Sequence, residues 1–484
     1  MSQSIRELSP KSVWNHFADL NAVPRPSKKE ERVIQFMVDF GKSLGLPTEV
    51  DHIGNVFIRK PATTGMEGRT PVVLQAHLDM VHQKNNATNF DFDSEGIKMY
   101  VDGDWVKAEG TTLGADNGIG VAFIMAMLSS TDIPHPQIDA LFTIDEETGM
   151  TGALELKGGM LDGKILLNID TEDDDELTIG CAGGIDVTAE CEVPMEPVAG
   201  DCVALEISVK GLSGGHSGMD IHKGLGNANK LMNRLFDSLG STIHLSNLNG
   251  GGLRNAIPRE SVATVVVPNN DLESVKAKIE ELSQTFTAEH QSTDPDLVIT
   301  VEQVALPESV VVDEFKEKFI SAVYACPNGI YRMSPDIAGL VQTSNNLARV
   351  VLESGKLTVM CLTRSAVESE KHDLARAITR TFESMGAQVS LSGNYPGWTP
   401  NPKSAILTMM RDLYVEMFNE QPKVAACHAG LECGILGTNY PEMELISFGP
   451  NIRGAHSPDE KCQISSVQKS WDFFLRTLEN IPNV

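Results

Sequence analysis

The sequence has no long apolar run, few cysteines and a shortage of basic residues, and each lack excludes something. Its longest apolar stretches, such as residues 121–128, are far too short to span a bilayer. The opening residues, Met1-Ser-Gln-Ser-Ile-Arg-Glu-Leu8, have no basic segment leading into an apolar one, so no secretory signal is expected. The eight cysteines, at 181, 191, 202, 326, 361, 427, 433 and 462, form no C-x-x-C pair. Such scatter suits reduced thiols in a cytosol and argues against a disulfide frame or a structural zinc site. Lys plus Arg number 39 against 66 for Asp plus Glu, a formal charge of -27. A surface that acidic repels phosphate backbones and anionic headgroups, so neither nucleic acid nor a membrane surface is an expected partner. What is present is 484 residues, 41% of them hydrophobic, enough for more than one core. Two or more domains and a cytoplasmic location are therefore expected.

The pattern along the chain divides it. Residues 9–20 read as a helix, and Ser27-x-x-Glu30 reads as a capping box for a second helix running towards residue 44. Strands are expected at 55–59, 71–76, 138–144 and 164–169, with a buried helix at 118–128; this alternation favours an α/β layer. After about residue 183 the texture changes. Val203, Leu205, Ile207 and Val209 alternate with period two. Helices at 225–239 and 272–289 flank a strand at 261–267, and a similar order follows over 313–392, with a helix at 313–324, strands around 347–352 and 356–363, a helix at 368–385 and a strand at 387–392. From residue 395 the α/β texture returns, with a helix at 405–418, a strand at 443–448 and a last helix near 464–478. The expected fold class is α/β: a catalytic domain with a mixed sheet, formed by 1–183 and 395–484 and interrupted by an inserted α+β domain at 184–394. The insert reads as two tandem ferredoxin-like units.

Potential metal ligands cluster at strand ends. Apolar runs lead into His77-Leu-Asp79, into Asp145-Glu146-Glu147, into Asp170, and into a Gly/Pro loop holding His456. Ligands in open α/β sheets bind at the carboxyl ends of strands. Asp116 joins them at the start of the 118–128 helix, where glycines permit a tight turn and the helix N-terminus favours an anion. Imidazole and carboxylate without thiolate suit zinc, manganese or cobalt in a catalytic role. Two His and three or four carboxylates exceed the needs of one ion and match two with a shared carboxylate. His77 and Asp79 point the same way along an extended chain, so Asp79 can hydrogen-bond the second ring nitrogen of His77. H-x-D arises by chance, and a strand-end Glu is usually a solvated loop residue; five such segments at one sheet edge argue for a site. The acidic run 171–176 reads mainly as a solvated loop.

These segments, His77-Leu-Asp79, Gly114-Ala-Asp116-Asn-Gly118, Asp145-Glu146-Glu147-Thr-Gly149, Asn168-Ile-Asp170 and Ala455-His456-Ser-Pro458, resemble the motif series of the co-catalytic zinc dipeptidase, aminoacylase and carboxypeptidase family. The resemblance implies two divalent ions, zinc first, with manganese or cobalt as alternatives. It implies that His77 and Asp170 bind one ion, that Glu147 and His456 bind the other, and that Asp116 bridges them. Asp79 orients His77, and Glu146 is the general base. Relatives often have a second acidic residue where this chain has Asn117.

The inserted domain looks like the family's lid, which in many relatives also forms a homodimer. Gly214-Gly-His216-Ser-Gly218 matches the lid motif whose His polarises the scissile carbonyl; read without the family, it is a glycine turn with an incidental His. Arg254, Asn255 and Arg364 are candidate anchors for the substrate backbone and C-terminal carboxylate, since a guanidinium donates two parallel hydrogen bonds. For Arg364 the alternative is a strand-end surface charge. The 428–434 segment is expected to line the site floor, with Gly430 near the substrate backbone and Glu432 as partner of its amino end. Tyr395 and Trp398 are core or pocket wall. The implied activity is hydrolysis of dipeptides, including those with C-terminal His such as β-alanyl-histidine. A sister tripeptidase or N-acyl amino acid amidohydrolase, and a non-catalytic metal- or peptide-binding relative, are the rivals.

Overall fold

The computed structural model describes residues 4–484. The chain falls into two compact units. The first comprises residues up to Gly180, Trp398–Ala426 and Leu431–Val484; the second comprises Cys181–Gly397 with the short piece Cys427–Gly430.

The first unit is built on an eight-stranded mixed sheet. Its strands run in the order Thr48–Val50, Val56–Lys60, Ile138–Thr143, Val72–His77, Ile165–Asn168, Glu444–Ser447, Glu176–Cys181 and Lys423–Cys427. Four of these, from Ile138–Thr143 to Glu444–Ser447, are mutually parallel, so their carboxyl ends share one edge. Every residue of Val72–His77 and Ile138–Thr143 is buried. A strand buried along its whole length is covered on both faces, which explains why both read as continuous apolar runs rather than as alternations. The helix Ala115–Ser129 packs on Val72–His77 and is buried from Asn117 to Leu128. It is apolar all round, as a helix inside a core must be. Phe123 from this helix meets Trp471 of the last helix, Ile464–Asn480, edge to face at 5.3 Å.

The capping-box expectation is corrected. The second helix is Glu31–Ser43, and its N-cap Glu30 makes no side-chain cap. Ser27 instead donates its hydroxyl to Asp79 Oδ2 at 2.8 Å. The tertiary partner, a buried carboxylate, outcompetes the local one.

The second unit holds a nine-stranded antiparallel sheet. Eight strands follow in the order Val298–Val304, Cys202–Lys210, Ser261–Pro268, His244–Gly251, Val341–Glu353, Lys356–Ser365, Gly183–Glu192 and Gln388–Tyr395. The ninth, Gly329–Met333, pairs with Val341–Glu353. Strands from both stretches read as tandem units thus run on into one sheet. Its helices, among them Ala228–Leu239, Leu272–His290, Asp313–Ala325 and Glu368–Glu383, bury Leu235, Phe236, Phe286, Phe319, Leu374 and Phe382 in one core. No helix among the described residues is long and apolar enough to cross a membrane.

Candidate active site

In the first unit the parallel strands deliver their ligand residues to one place. His77 ends its strand with Nε2 3.2 Å from Asp116 Oδ1 and 3.6 Å from Asp170 Oδ1. His456 places Nε2 3.2 Å from Asp116 Oδ2 and 3.1 Å from Glu147 Oε2. Each oxygen of Asp116 therefore faces a different imidazole. Two groups, His77 with Asp116 and Asp170, and His456 with Asp116 and Glu147, have the spacing to hold a metal ion. They share Asp116. Glu146 joins a third such group with His77 and Glu147.

Local backbone conformation aims these side chains. His456 has φ +64 and Asp145 has φ +56, a left-handed region that His and Asp enter more readily than most residues. Asp145 turns the chain from its strand into the one-turn helix Glu146–Gly149. Its carboxylate is held by Lys28 Nζ at 2.5 Å and by the hydroxyls of Thr148 and Thr151. Asp79 does more than the spacing suggested. His77 Nδ1 lies 3.2 Å from the Asp79 carbonyl and 3.4 Å from its Oδ1. The same carboxylate accepts the backbone N–H of Glu146 at 3.0 Å and of Glu147 at 3.3 Å. One buried Asp thus fixes a ring and the Glu146-Glu147 turn together.

The electrostatics are those of crowded, buried anions. Burial pushes the His77 imidazole down, but Asp170, Asp116 and Asp79 outweigh it and its pKa rises well above the usual value. Hydrogen bonds to Asp116 and Glu147 push His456 up to about 11. Burial raises Glu146, Glu147 and Asp170, and neighbouring carboxylates add to it. Burial also acts on Asp116, yet His456 and His77 hold it below the usual carboxylate range. Glu147 Oε1 and Asp170 Oδ1 are buried without a hydrogen-bond partner. A buried carboxylate oxygen without a hydrogen-bond donor is costly, and a cation removes that cost. The donor set, imidazole and carboxylate only, fits two borderline-hard divalent ions.

The acidic run is the loop expected, half-exposed throughout, up to Glu176, which opens a strand. Asp173, Asp174 and Asp175 pair with Arg453 at 2.5 Å, Lys469 at 2.8 Å and Lys423 at 2.8 Å. Among them, partial burial and the nearby Asp116 charge push Glu172 up to about 8. Its place near the site was hidden in the sequence by its acidic neighbours. Glu432 is buried in the first unit, where Oε2 accepts from Gln75 and Thr143 at 2.7 Å each while Oε1 has no hydrogen-bond partner. Asn117 is also buried, with both side-chain polar atoms unpartnered.

The remaining residues gather in the second unit. His216 lies on a two-residue strand paired with Ala256–Ile257. Its Nδ1 accepts the backbone N–H of Gly218 at 3.2 Å and of Met219 at 3.0 Å, which leaves the ring proton on Nε2. The Asn255 carbonyl accepts Ser217 N–H at 2.8 Å. Arg364 is only 4% exposed, which removes the surface-charge reading. It donates to Tyr395 Oη at 2.7 Å and Ser217 Oγ at 3.5 Å, so Tyr395 is part of this cluster. His428, two residues before Gly430, bonds Ser344 Oγ at 2.7 Å. Arg254 is corrected: its guanidinium is turned to the sheet, on Thr188 Oγ1 at 2.6 Å, the Cys361 carbonyl at 3.2 Å and Asp186 at 3.3 Å. It anchors the loop that carries Asn255.

The chain is similar to known proteins along its whole length. The chain is 41% identical over 480 residues to the cytosol non-specific dipeptidase of Escherichia coli K12, covering 99% of both chains. The crystal structure of aminoacylhistidine dipeptidase from Vibrio alginolyticus matches with a TM-score of 0.93 and 43% identity, over 100% of this chain and 99% of that one. The aminopeptidase PepT of Bacillus cereus, at 15% identity and a TM-score of 0.58 over 98% of this chain and 99% of that one, shares the fold. A family model described as peptidase family M20/M25/M40 matches residues 73–480, and with relatives of that identity along its whole length the chain belongs to this peptidase family.

Proposed function

We propose that this protein is a metal-dependent dipeptidase acting on short peptides that include Xaa-His dipeptides. The observation that carries the reading is identity above 40%, over essentially the whole chain, to two proteins named as dipeptidases. The paired His and carboxylate groups around Asp116 support it independently.

His77 and Asp170 would hold one divalent ion and Glu147 and His456 the other, with Asp116 shared. Zinc is the first candidate, and manganese or cobalt the alternatives. Such ions supply Lewis-acid polarisation of the peptide carbonyl and a nucleophile available at neutral pH. The chain's own residues do the rest. Glu146, held by the Asp79 carboxylate through its backbone N–H, takes the proton from the attacking water. It then returns that proton to the amine as the C–N bond breaks. His216, with its proton on Nε2, is a hydrogen-bond donor suited to the developing oxyanion. Arg364 and Asn255 anchor the substrate's C-terminal carboxylate and backbone, and Gly430 admits that backbone closely. For the substrate's amino group the acceptor is Glu432 Oε1, since Oε2 is engaged by Gln75 and Thr143. A cytoplasmic location, the division into a catalytic domain and an inserted lid, and a homodimer through that insert complete the reading.

The test is Glu146→Gln. The variant should keep its metal content and lose on the order of 10²–10⁴-fold in kcat, the usual range for a general base. Full activity in the variant would remove Glu146 from that role.

A further inference from the structure

Asp116 can serve two ions only if both of its oxygens point correctly, and its own backbone does not ensure that. Asp116 and Asn117 depart from helical geometry, and Gly114 before them has φ +68. Two buried charged side chains grip this turn, one through its N–H groups and one through a carbonyl. The Glu460 carboxylate accepts four consecutive backbone N–H groups: Leu113 at 2.7 Å, Gly114 at 2.9 Å, Ala115 at 2.7 Å and Asp116 at 3.2 Å. The Arg25 guanidinium donates to the Gly114 carbonyl at 2.6 Å, to the Leu78 carbonyl at 3.0 Å and to the Asp79 carbonyl at 3.1 Å. Asn21 completes the grip. Its Oδ1 accepts from Arg25 at 2.9 Å and its Nδ2 donates to the Leu113 carbonyl at 3.0 Å.

Three ligand-bearing segments are joined by these contacts. Arg25 ties the end of the His77 strand to the Asp116 turn, and Glu460, four residues after His456, ties the His456 loop to the same turn. The glycines of the motif make room for the guanidinium. A Cβ on Gly114 would come within 2.6 Å of Arg25 Nη2, and one on Gly118 within 2.5 Å. Burial pulls Arg25 down to about 10, which leaves it charged at neutral pH, and pushes Glu460 up to about 7 against its backbone donors.

We propose that Asn21, Arg25 and Glu460 are positioning residues that hold the 113–116 turn rigid and so set the direction of both Asp116 oxygens. This rests on the reading of Asp116 as the shared ligand. Glu460→Gln and Asn21→Ala test it in the full-length chain, stripped of metal and titrated with cobalt(II) while its visible absorption is followed. An amide cannot accept N–H groups on both sides, so Glu460→Gln should weaken cobalt binding about 10–100-fold, as loss of a ligand's hydrogen-bonding support does elsewhere. Asn21→Ala should shift it in the same direction by less. Phe473→Leu, a core change away from the turn, should lower the melting temperature and leave cobalt affinity unchanged. Equal weakening in Phe473→Leu would reduce the effect to general instability and overturn the inference. Should Glu460→Gln not fold, Asn21→Ala decides, and wild-type affinity in it is the contrary result. A wild-type chain that binds no cobalt would overturn the metal reading itself.

Discussion

At the scale of single residues, burial separates groups that the sequence leaves alike. His77 and His456 sit among carboxylates and their pKa values rise, whereas burial and the Arg364 charge lower His428 to about 3. His428 therefore stays neutral through the physiological range, bonded to Ser344. The consequence for stability has a definite sign. The unfolded chain takes up a proton at this residue below its ordinary value of 6.5, while the folded chain resists until about 3. The stabilising difference is fully present above 6.5 and is lost as the pH falls towards 3, at up to about 1.4 kcal/mol per pH unit. His428→Gln should flatten the fall of melting temperature across that window. An unchanged slope would mean that His428 is not the buried neutral ring described here. Other residue-scale facts had no signal in the sequence. Ser27 matched a local capping rule, and only the fold reveals that its hydroxyl goes to Asp79.

At the scale of elements, the sheet edge depends on how closely the buried helix approaches it. Gly120 of Ala115–Ser129 is the point of contact, because a Cβ there would lie 2.3 Å from the Ile169 carbonyl and 2.0 Å from Asn117 Oδ1. The first is backbone and cannot swing aside. Gly120→Ala should therefore push the helix from the turn that carries Asp170, costing about 1–3 kcal/mol of stability and weakening metal retention. A melting temperature and metal content equal to wild type would show that the contact is slack. Elements with a strong period were legible beforehand: the buried strand at 71–76 is Val72–His77 and the helix at 405–418 is Ala405–Phe418. Gly183–Glu192 does alternate, at Ile185, Val187, Ala189 and Cys191, behind two glycines, whereas in His244–Gly251 glycines and polar residues break the alternation and hide the strand. The strand expected at 347–352 begins six residues earlier, at Val341. Its added residues, Val341 to Asn346, are mostly polar and all buried, which only pairing to both neighbours can support. Four strand-end segments, with Asp116 at a helix start, could be read as a site because each strand pairs an apolar run with an abrupt polar end. Arg25 and Glu460 could not, because nothing in their neighbourhood distinguishes them from surface charges.

At the scale of the whole molecule, a formal charge of -27 makes a concentrated group of buried carboxylates harder still to sustain without cations. Asp116, Glu146, Glu147 and Asp170 stand together with two imidazoles, and the burial that raises three of these carboxylates is what bound divalent ions would offset. Activity should therefore depend on bound metal. The most direct measurement follows hydrolysis of β-alanyl-histidine and several ordinary dipeptides by the purified protein before chelation, after it, and after zinc, manganese or cobalt is added back. Cleavage should disappear on chelation and return with at least one of the three ions. Cleavage that persists after complete metal removal, or no cleavage of any dipeptide with any of these ions, would contradict it.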